Sequence, residues 1–278
     1  MERIYDIETS LTLDYRKGRW GIERIVIDGA SNHLPADSKG THVNAKVKQA
    51  GNYIDFRQAD KSLPIEEVVF EDNGVGYDAG LLSVLFSSKS ADALSVGQFG
   101  EGLKLVAAAS LREGLKIEYH SRNWIAVPYA KEETIGNNPL KRLCFQITEN
   151  GFNVQGSRTV IKNPSEAFLQ ELYKLPDNIL AFNDKHKEVY NERNNIPVKG
   201  PFNYFNNLPK YKDRIIDLGT GETSLFIKGV RVEKKKESIF SYDLGLEDIT
   251  PDRIFADRNV VLSSIEKLLK NCSDPAVI

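Results

Sequence analysis

The sequence predicts a layered α+β sandwich, and three observations carry that expectation. Residues 20–34 (WGIERIVIDGASNHL) and 100–111 repeat apolar side chains near the helical period. THVNAKVKQ alternates as a half-buried strand does, and IEEVVF at 65–70 is a short apolar run that ends in the glycine turn DNGVG. Helices are interspersed with strands that close the unit, which argues against a regular βαβ repeat.

Along the chain the elements are expected in this order. A helix over 20–34, with Gly29 as its weak point, precedes the strands at THVNAKVKQ and 65–70. Residues 78–87 read as helical, SSKSADALSVG as a mobile stretch, and 100–111 as a second helix rich in Leu, Val and Ala. Strands follow at 115–121, 124–129, 142–148 and 158–162. The texture changes after Pro164, so the chain is divided into 1–164 and 165–278. The second part opens on a helix at 165–174 and a polar, Asn-rich and Lys-rich linker. It continues with strands at 214–218, 224–228, 230–232 and 238–242, and closes on a helical pattern at 260–269. The terminal NCSDPAVI carries no evident further domain and leaves room for a longer natural protein.

Composition narrows the class of function. Of 278 residues, 41% are hydrophobic and 27% charged, enough apolar material for one large domain or two modest ones. Lys and Arg (37) nearly balance Asp and Glu (39), so no global field draws the chain to nucleic acid or anionic lipid. Nucleic acid remains open as a partner only through a local patch, such as Phe202, Tyr204 and Phe205 beside Lys199 and Lys210, where ordinary packing is the simpler reading. The two cysteines, Cys144 and Cys272, and the four histidines lack the spacing of a zinc site or a disulfide framework. No apolar run approaches the roughly 20 residues needed to span a bilayer, and MERIYDIETS is no signal peptide. A soluble, cytoplasmic protein is expected.

The chemistry lies in where the glycines sit. Asp72-Asn73-Gly74-Val75-Gly76 sets a carboxylate at a strand end before two glycines, so that a flat ring can approach the backbone while the acid accepts a hydrogen bond from it. An adenine amino group suits that acceptor; a plain Asp-Asn-Gly turn is the alternative. Gly97-Gln98-Phe99-Gly100-Glu101-Gly102-Leu103-Lys104 feeds a helix start, where free N–H groups and the positive end of the dipole favour an anion. Asp28 and Asn32 lie four apart, on one helix face, as an acid for a water and an amide oxygen for Mg²⁺ would. A solvated polar stripe is the bland alternative. His33 is expected to cap that helix or orient the phosphate side.

In this order the motifs resemble those of the GHKL ATPases, which include gyrase, the ninety-kilodalton heat-shock chaperones, sensor histidine kinases and mismatch-repair ATPases. Asp72 to Gly76 looks like the adenine-binding box, and VGQFGEGL at 96–103 is similar to the chaperone-type lid glycines. Gly156-Ser157-Arg158-Thr159-Val160 resembles the terminal strand whose hydroxyl holds the adenine-binding carboxylate. The Ser87-Ser88-Lys89-Ser90 stretch and Gly102-Leu103-Lys104 are closest to Microrchidia-type members. The resemblance covers about residues 15–163.

It implies a Bergerat-type sandwich of helices on a mixed sheet that binds ATP and Mg²⁺. Asp72 would fix adenine, Gly74 and Gly76 would let the ring approach, and Asn32 would ligate the metal. Lys89 and the lid residues Gly97, Gln98, Phe99, Gly100, Glu101, Gly102, Leu103 and Lys104 would close on the phosphates, and Asp28 would polarise the water. The chain departs from the family in two places. Asp28 stands where a Glu is usual, which makes Glu23 a second candidate base and slow hydrolysis the expectation; Ser157 stands in the usual Thr position, with Thr159 two residues on. The second part loosely resembles transducer domains that lend a basic residue to the γ-phosphate, with Lys228 and Arg258 as candidates.

The implied activity is an ATPase switch whose lid closes and which dimerises, or joins a larger complex, on nucleotide binding. A histidine-kinase-like phosphotransferase acting on a partner and a nucleotide-dependent binding module with little hydrolysis are the alternatives.

Overall fold

A computed structural model of the chain describes residues 2–34, 42–84, 101–191, 213–219, 221–235, 238–246 and 258–272. It is α+β, and it divides into two compact units after Leu175. The helix expected to open the second part therefore stays with the first, where it packs against the first long helix.

The first unit is a sheet with helices. Its strands are β1 (Arg3–Thr12), β2 (Val43–Gln49), β3 (Asn52–Asp55), β4 (Glu67–Asp72), β5 (Lys116–Ile135) and β6 (Asn138–Lys162). Its helices are α1 (Ile22–Ser31), α2 (Gly102–Arg112) and α3 (Glu166–Leu172). β6 organises the sheet. One of its edges pairs with β5 over nearly its whole length, while the other takes β1 at 142–149 and then β4 at 157–162. β2 and β3 continue outward from β4.

Every described strand pairing in this unit is antiparallel, which corrects the expectation of a mixed sheet. The cause is local. Two-residue turns at Ala50-Gly51 and Gly136-Asn137 join β2 to β3 and β5 to β6, and φ of 49°, 78° and 62° at Ala50, Gly51 and Gly136 gives the left-handed backbone that such hairpins need.

The strands expected at 115–121 and 124–129 are one strand, as are those at 142–148 and 158–162. Arg122, with φ of 49°, marks the irregularity where the register of β5 on β6 shifts. The helix expected over 78–87 is, among the described residues, only a 3-10 turn at Ala79–Leu82 that Asp78 caps by accepting the Gly80 N–H.

α1 and α2 pack on each other, α1 touches β4, and α2 lies along β5. Their apolar faces close the core: Ile25, Val26 and Ala30 from α1 and Leu105 to Ala109 from α2 are almost fully buried, with Phe70, Tyr119, Phe145, Ile147 and Ile161 from the strands. Gly29 is what lets α1 come this close to the sheet, because a Cβ there would meet the Phe70 ring at 3.3 Å. This packing presses the C-terminal end of α1 toward the ends of β4 and β6.

The second unit carries a single turn, α4 (Leu175–Asn178), then β7 (Lys187–Asn191), β8 (Arg214–Asp217), β9 (Ser224–Ile227), β10 (Val230–Lys234), β11 (Ser241–Leu244) and α5 (Arg258–Asn271). The strand order is β10-β9-β11-β8-β7, and β9 and β11 run parallel, so this sheet is mixed. Val261 and Leu268 of α5 join Ile215, Leu225, Ile227 and Leu244 in its core. Among the described residues no helix is long and apolar enough to cross a membrane.

Candidate functional site

The register of β4 on β6 builds the first half of the site. Asp72 lies opposite Ser157 and Phe70 opposite Thr159, so Ser157 and Thr159, two apart, point to one face of the sheet together with Asp72. Ser157 Oγ donates to Asp72 Oδ2 at 2.5 Å, and the Gly74 N–H donates to Asp72 Oδ1 at 2.9 Å.

The C-terminal end of α1 supplies the other half. His33 Nδ1 lies 2.8 Å from Asp72 Oδ2 and its Nε2 lies 2.9 Å from Thr159 Oγ1. The two hydroxyls thus divide their work, Ser157 holding the carboxylate directly and Thr159 holding the imidazole that holds it. Burial pushes the Asp72 carboxyl up, but the His33, Ser157 and Gly74 contacts outweigh it and keep the group below the ordinary carboxylate range. His33, expected to cap α1 or orient the phosphate side, is thus held between Asp72 and Thr159. Its position directly after Asn32 was the visible signal; its partner was not, because the contact spans 39 residues.

Two glycines of the site are demanded by the chain itself. Gly156 has φ of 72°, and a Cβ there would lie 2.0 Å from the Asp72 carbonyl oxygen. Gly76 has φ of 68°, and a Cβ would lie 2.5 Å from Ser121 Oγ and 2.7 Å from the Gly156 carbonyl oxygen. Ser121 Oγ donates to that same carbonyl and accepts the Tyr77 N–H. The loop 73–77 is thereby fastened onto β5 and β6, and the close approach at Gly76 is to protein.

Asn32 stands at the C-cap of α1 with its N–H on the Asp28 carbonyl, and its side chain lies against the first residue of α2: a Cβ on Gly102 would sit 2.8 Å from Asn32 Oδ1. Motifs separated by 70 residues of sequence meet at that point.

Asp28 is buried at 5% exposure, and its Oδ2 lies 2.8 Å from Arg24 Nη2 one turn earlier. Arg24 in turn sits over the Trp20 ring at 5.1 Å. Glu23 is exposed in the first turn of α1. Lys104 is 2% exposed, and its Nζ donates to the Leu81 carbonyl at 3.3 Å; burial lowers its pKa to about 8 against a smaller opposing effect of Glu101. Glu101 itself faces Arg16 at 3.6 Å, and the Leu103 carbonyl accepts from the Tyr119 hydroxyl. Lys89, Gly97, Gln98, Phe99 and Gly100 lie outside the described residues, as do Phe202, Tyr204, Phe205, Lys199 and Lys210.

In the second unit, Arg258 opens α5 with its side chain 76% exposed and 3.9 Å from Glu233. Lys228 is buried in the β9–β10 turn, where φ of 49° and 79° at Lys228 and Gly229 makes another tight hairpin.

Asp72, His33 and Thr159 are connected as a catalytic triad is, with carboxylate on Nδ1 and hydroxyl on Nε2. Thr159 is 0% exposed, so its hydroxyl meets no substrate and nucleophilic catalysis is not what the arrangement performs. It presents a fixed carboxylate, 13% exposed, as a hydrogen-bond acceptor. No protein-family model matches the chain, and no curated protein matches it.

Proposed function

We infer that the first unit binds ATP with Mg²⁺ and is an ATPase switch of GHKL type with a Bergerat-like fold. One observation carries the reading: the residue that follows the first box, the Asp-Asn-Gly-Val-Gly loop and the terminal strand meet on Asp72, and the first box meets the lid-helix start. His33 and Ser157 meet on its Oδ2, Gly74 on its Oδ1, and Asn32 closes against Gly102 beside them.

In this reading Asp72 accepts an N–H from the adenine amino group. The start of α2 would turn the positive end of its helix dipole toward the phosphates. Lys104, whose burial lowers its pKa to about 8, is still mostly charged near pH 7, and an approaching anion holds it in that form. Asn32 is the metal ligand, and one protein ligand plus phosphates is the usual manner of Mg²⁺ binding. Bound Mg²⁺ supplies charge neutralisation at the phosphates. Dimerisation on nucleotide binding belongs to the same proposal.

A second reading, a nucleotide-dependent binding module with little hydrolysis, is favoured by the Arg24–Asp28 pair, which occupies the carboxylate that would polarise the water. ATP binding and turnover by the wild type, Asp28→Ala and Asp72→Asn test both. Binding lost in Asp72→Asn, with turnover lost but binding kept in Asp28→Ala, supports the switch. Binding without turnover in the wild type supports the module. A wild type that does not bind ATP refutes both.

A further inference from the structure

The hydrogen bonds on Asp72 leave room for only one more. An ionised carboxylate offers about four lone-pair directions, two on each oxygen. Oδ2 receives the Ser157 hydroxyl at 2.5 Å and faces His33 Nδ1 at 2.8 Å, while Oδ1 receives the Gly74 N–H at 2.9 Å. An imidazole nitrogen beside an ionised oxygen must carry a proton, so a neutral His33 ring is protonated on Nδ1 and accepts the Thr159 hydroxyl on Nε2. Oδ2 is then filled, and the remaining direction is on Oδ1.

We propose that His33, with Ser157, is a specificity-determining residue: by filling Oδ2 of Asp72 it restricts the site to a base that donates a single N–H there, adenine, and rejects guanine. This rests on the nucleotide-binding reading and adds to it a cause for base choice. Guanine presents two parallel donors, N1–H and the 2-amino N–H, which need both carboxylate oxygens. With Oδ2 filled, one of them is left without a partner beside a carboxylate that is only 13% exposed. Adenine presents one amino N–H to one oxygen and loses nothing. His33 is 2% exposed and pinned at both nitrogens, so it does not swing aside to release Oδ2.

The test is the ratio of ATP to GTP affinity in the full chain, measured by direct titration for the wild type, His33→Ala, Ser157→Ala and His33→Asn, with a thermal melt on each. An unpaired donor of this kind costs about tenfold or more in affinity. Wild type prefers ATP; His33→Ala and Ser157→Ala each lower the preference by about tenfold, chiefly by gaining GTP. His33→Asn, whose amide N–H replaces Nδ1–H, keeps it. An unchanged ratio in folded His33→Ala and Ser157→Ala overturns the proposal, whereas a wild type that binds neither nucleotide overturns the underlying reading. Imidazole nitrogen NMR of the wild type needs no variant: the Nδ1–H form of His33 is expected, and a ring protonated on Nε2 alone overturns the count of bonds on Oδ2.

Discussion

Lys104 is placed where a fold concerned only with stability would not put it. It occupies the third position of α2, close to the positive end of the helix dipole, and is 2% exposed. Its pKa falls from the ordinary 10.5 to about 8. At about 1.4 kcal/mol per pH unit, the charged form is disfavoured by at most about 3.5 kcal/mol, and solvent screening and relaxation of the stem reduce this to about 1–2 kcal/mol. Methionine matches the stem without the charge, and gives up the long contact with the Leu81 carbonyl.

Lys104→Met is therefore expected to stabilise the nucleotide-free protein by about 1–2 kcal/mol at pH 7 in urea unfolding. Below pH 8 the amine is charged in both folded and unfolded chains and the cost is complete. Above pH 10.5 it is neutral in both and the cost is gone. Between the two the unfolded chain binds more protons, so wild-type stability gains relative to the variant and the difference closes. The same change is expected to weaken ATP binding by about 10- to 100-fold, the size of one charge-assisted hydrogen bond. A variant less stable than wild type at pH 7, or a stability difference that stays constant from pH 7 to 10, refutes the reasoning.

Three further outcomes follow from the geometry. Gly156→Ala and Gly136→Ala share a positive φ, but only the first drives a Cβ into backbone, the Asp72 carbonyl; thermal unfolding is expected to show a loss of more than about 2 kcal/mol for Gly156→Ala and about 1 kcal/mol for Gly136→Ala. Glu118 is held at about 2 by His120 and Lys162 against the opposing effect of burial. Its contribution is present above pH 4.5 and lost as pH falls toward 2, so Glu118→Gln should cost about 1 kcal/mol at pH 7 and nothing near pH 2 in denaturant titrations. Arg24→Met should raise turnover relative to wild type if the pair with Asp28 is what restrains hydrolysis, and leave it unchanged or lower if it is not.

The helices and β4 were legible because a single periodicity or a single apolar run fixes each of them, and the flanking glycines mark where they stop. β1 was not. RIYDIETSLT mixes charged and apolar side chains, most of them at least partly exposed, and only its pairing with β6 makes it a strand. β5 looked like two strands because Arg122 adopts a left-handed conformation at the register shift, which no propensity signals, and β6 looked like two because Gly151 and Gly156, both with positive φ, interrupt its apolar pattern opposite that shift. The site was legible as residue types and opaque as contacts. Asp72 and Ser157 were visible from their motifs, but that His33 joins them depends on how closely α1 approaches β4, and that in turn on Gly29. Gly76 was read for the freedom it offers a ligand, whereas its neighbours Ser121 and Gly156 already claim that space.

The most direct test of the account is a crystal structure of the chain with Mg²⁺ and a non-hydrolysable ATP analogue. The adenine amino group is expected within about 3.2 Å of Asp72 Oδ1, with His33 and Ser157 still on Oδ2 and the phosphates at the start of α2. A nucleotide bound elsewhere, or a base whose amino group faces away from Asp72, would contradict it.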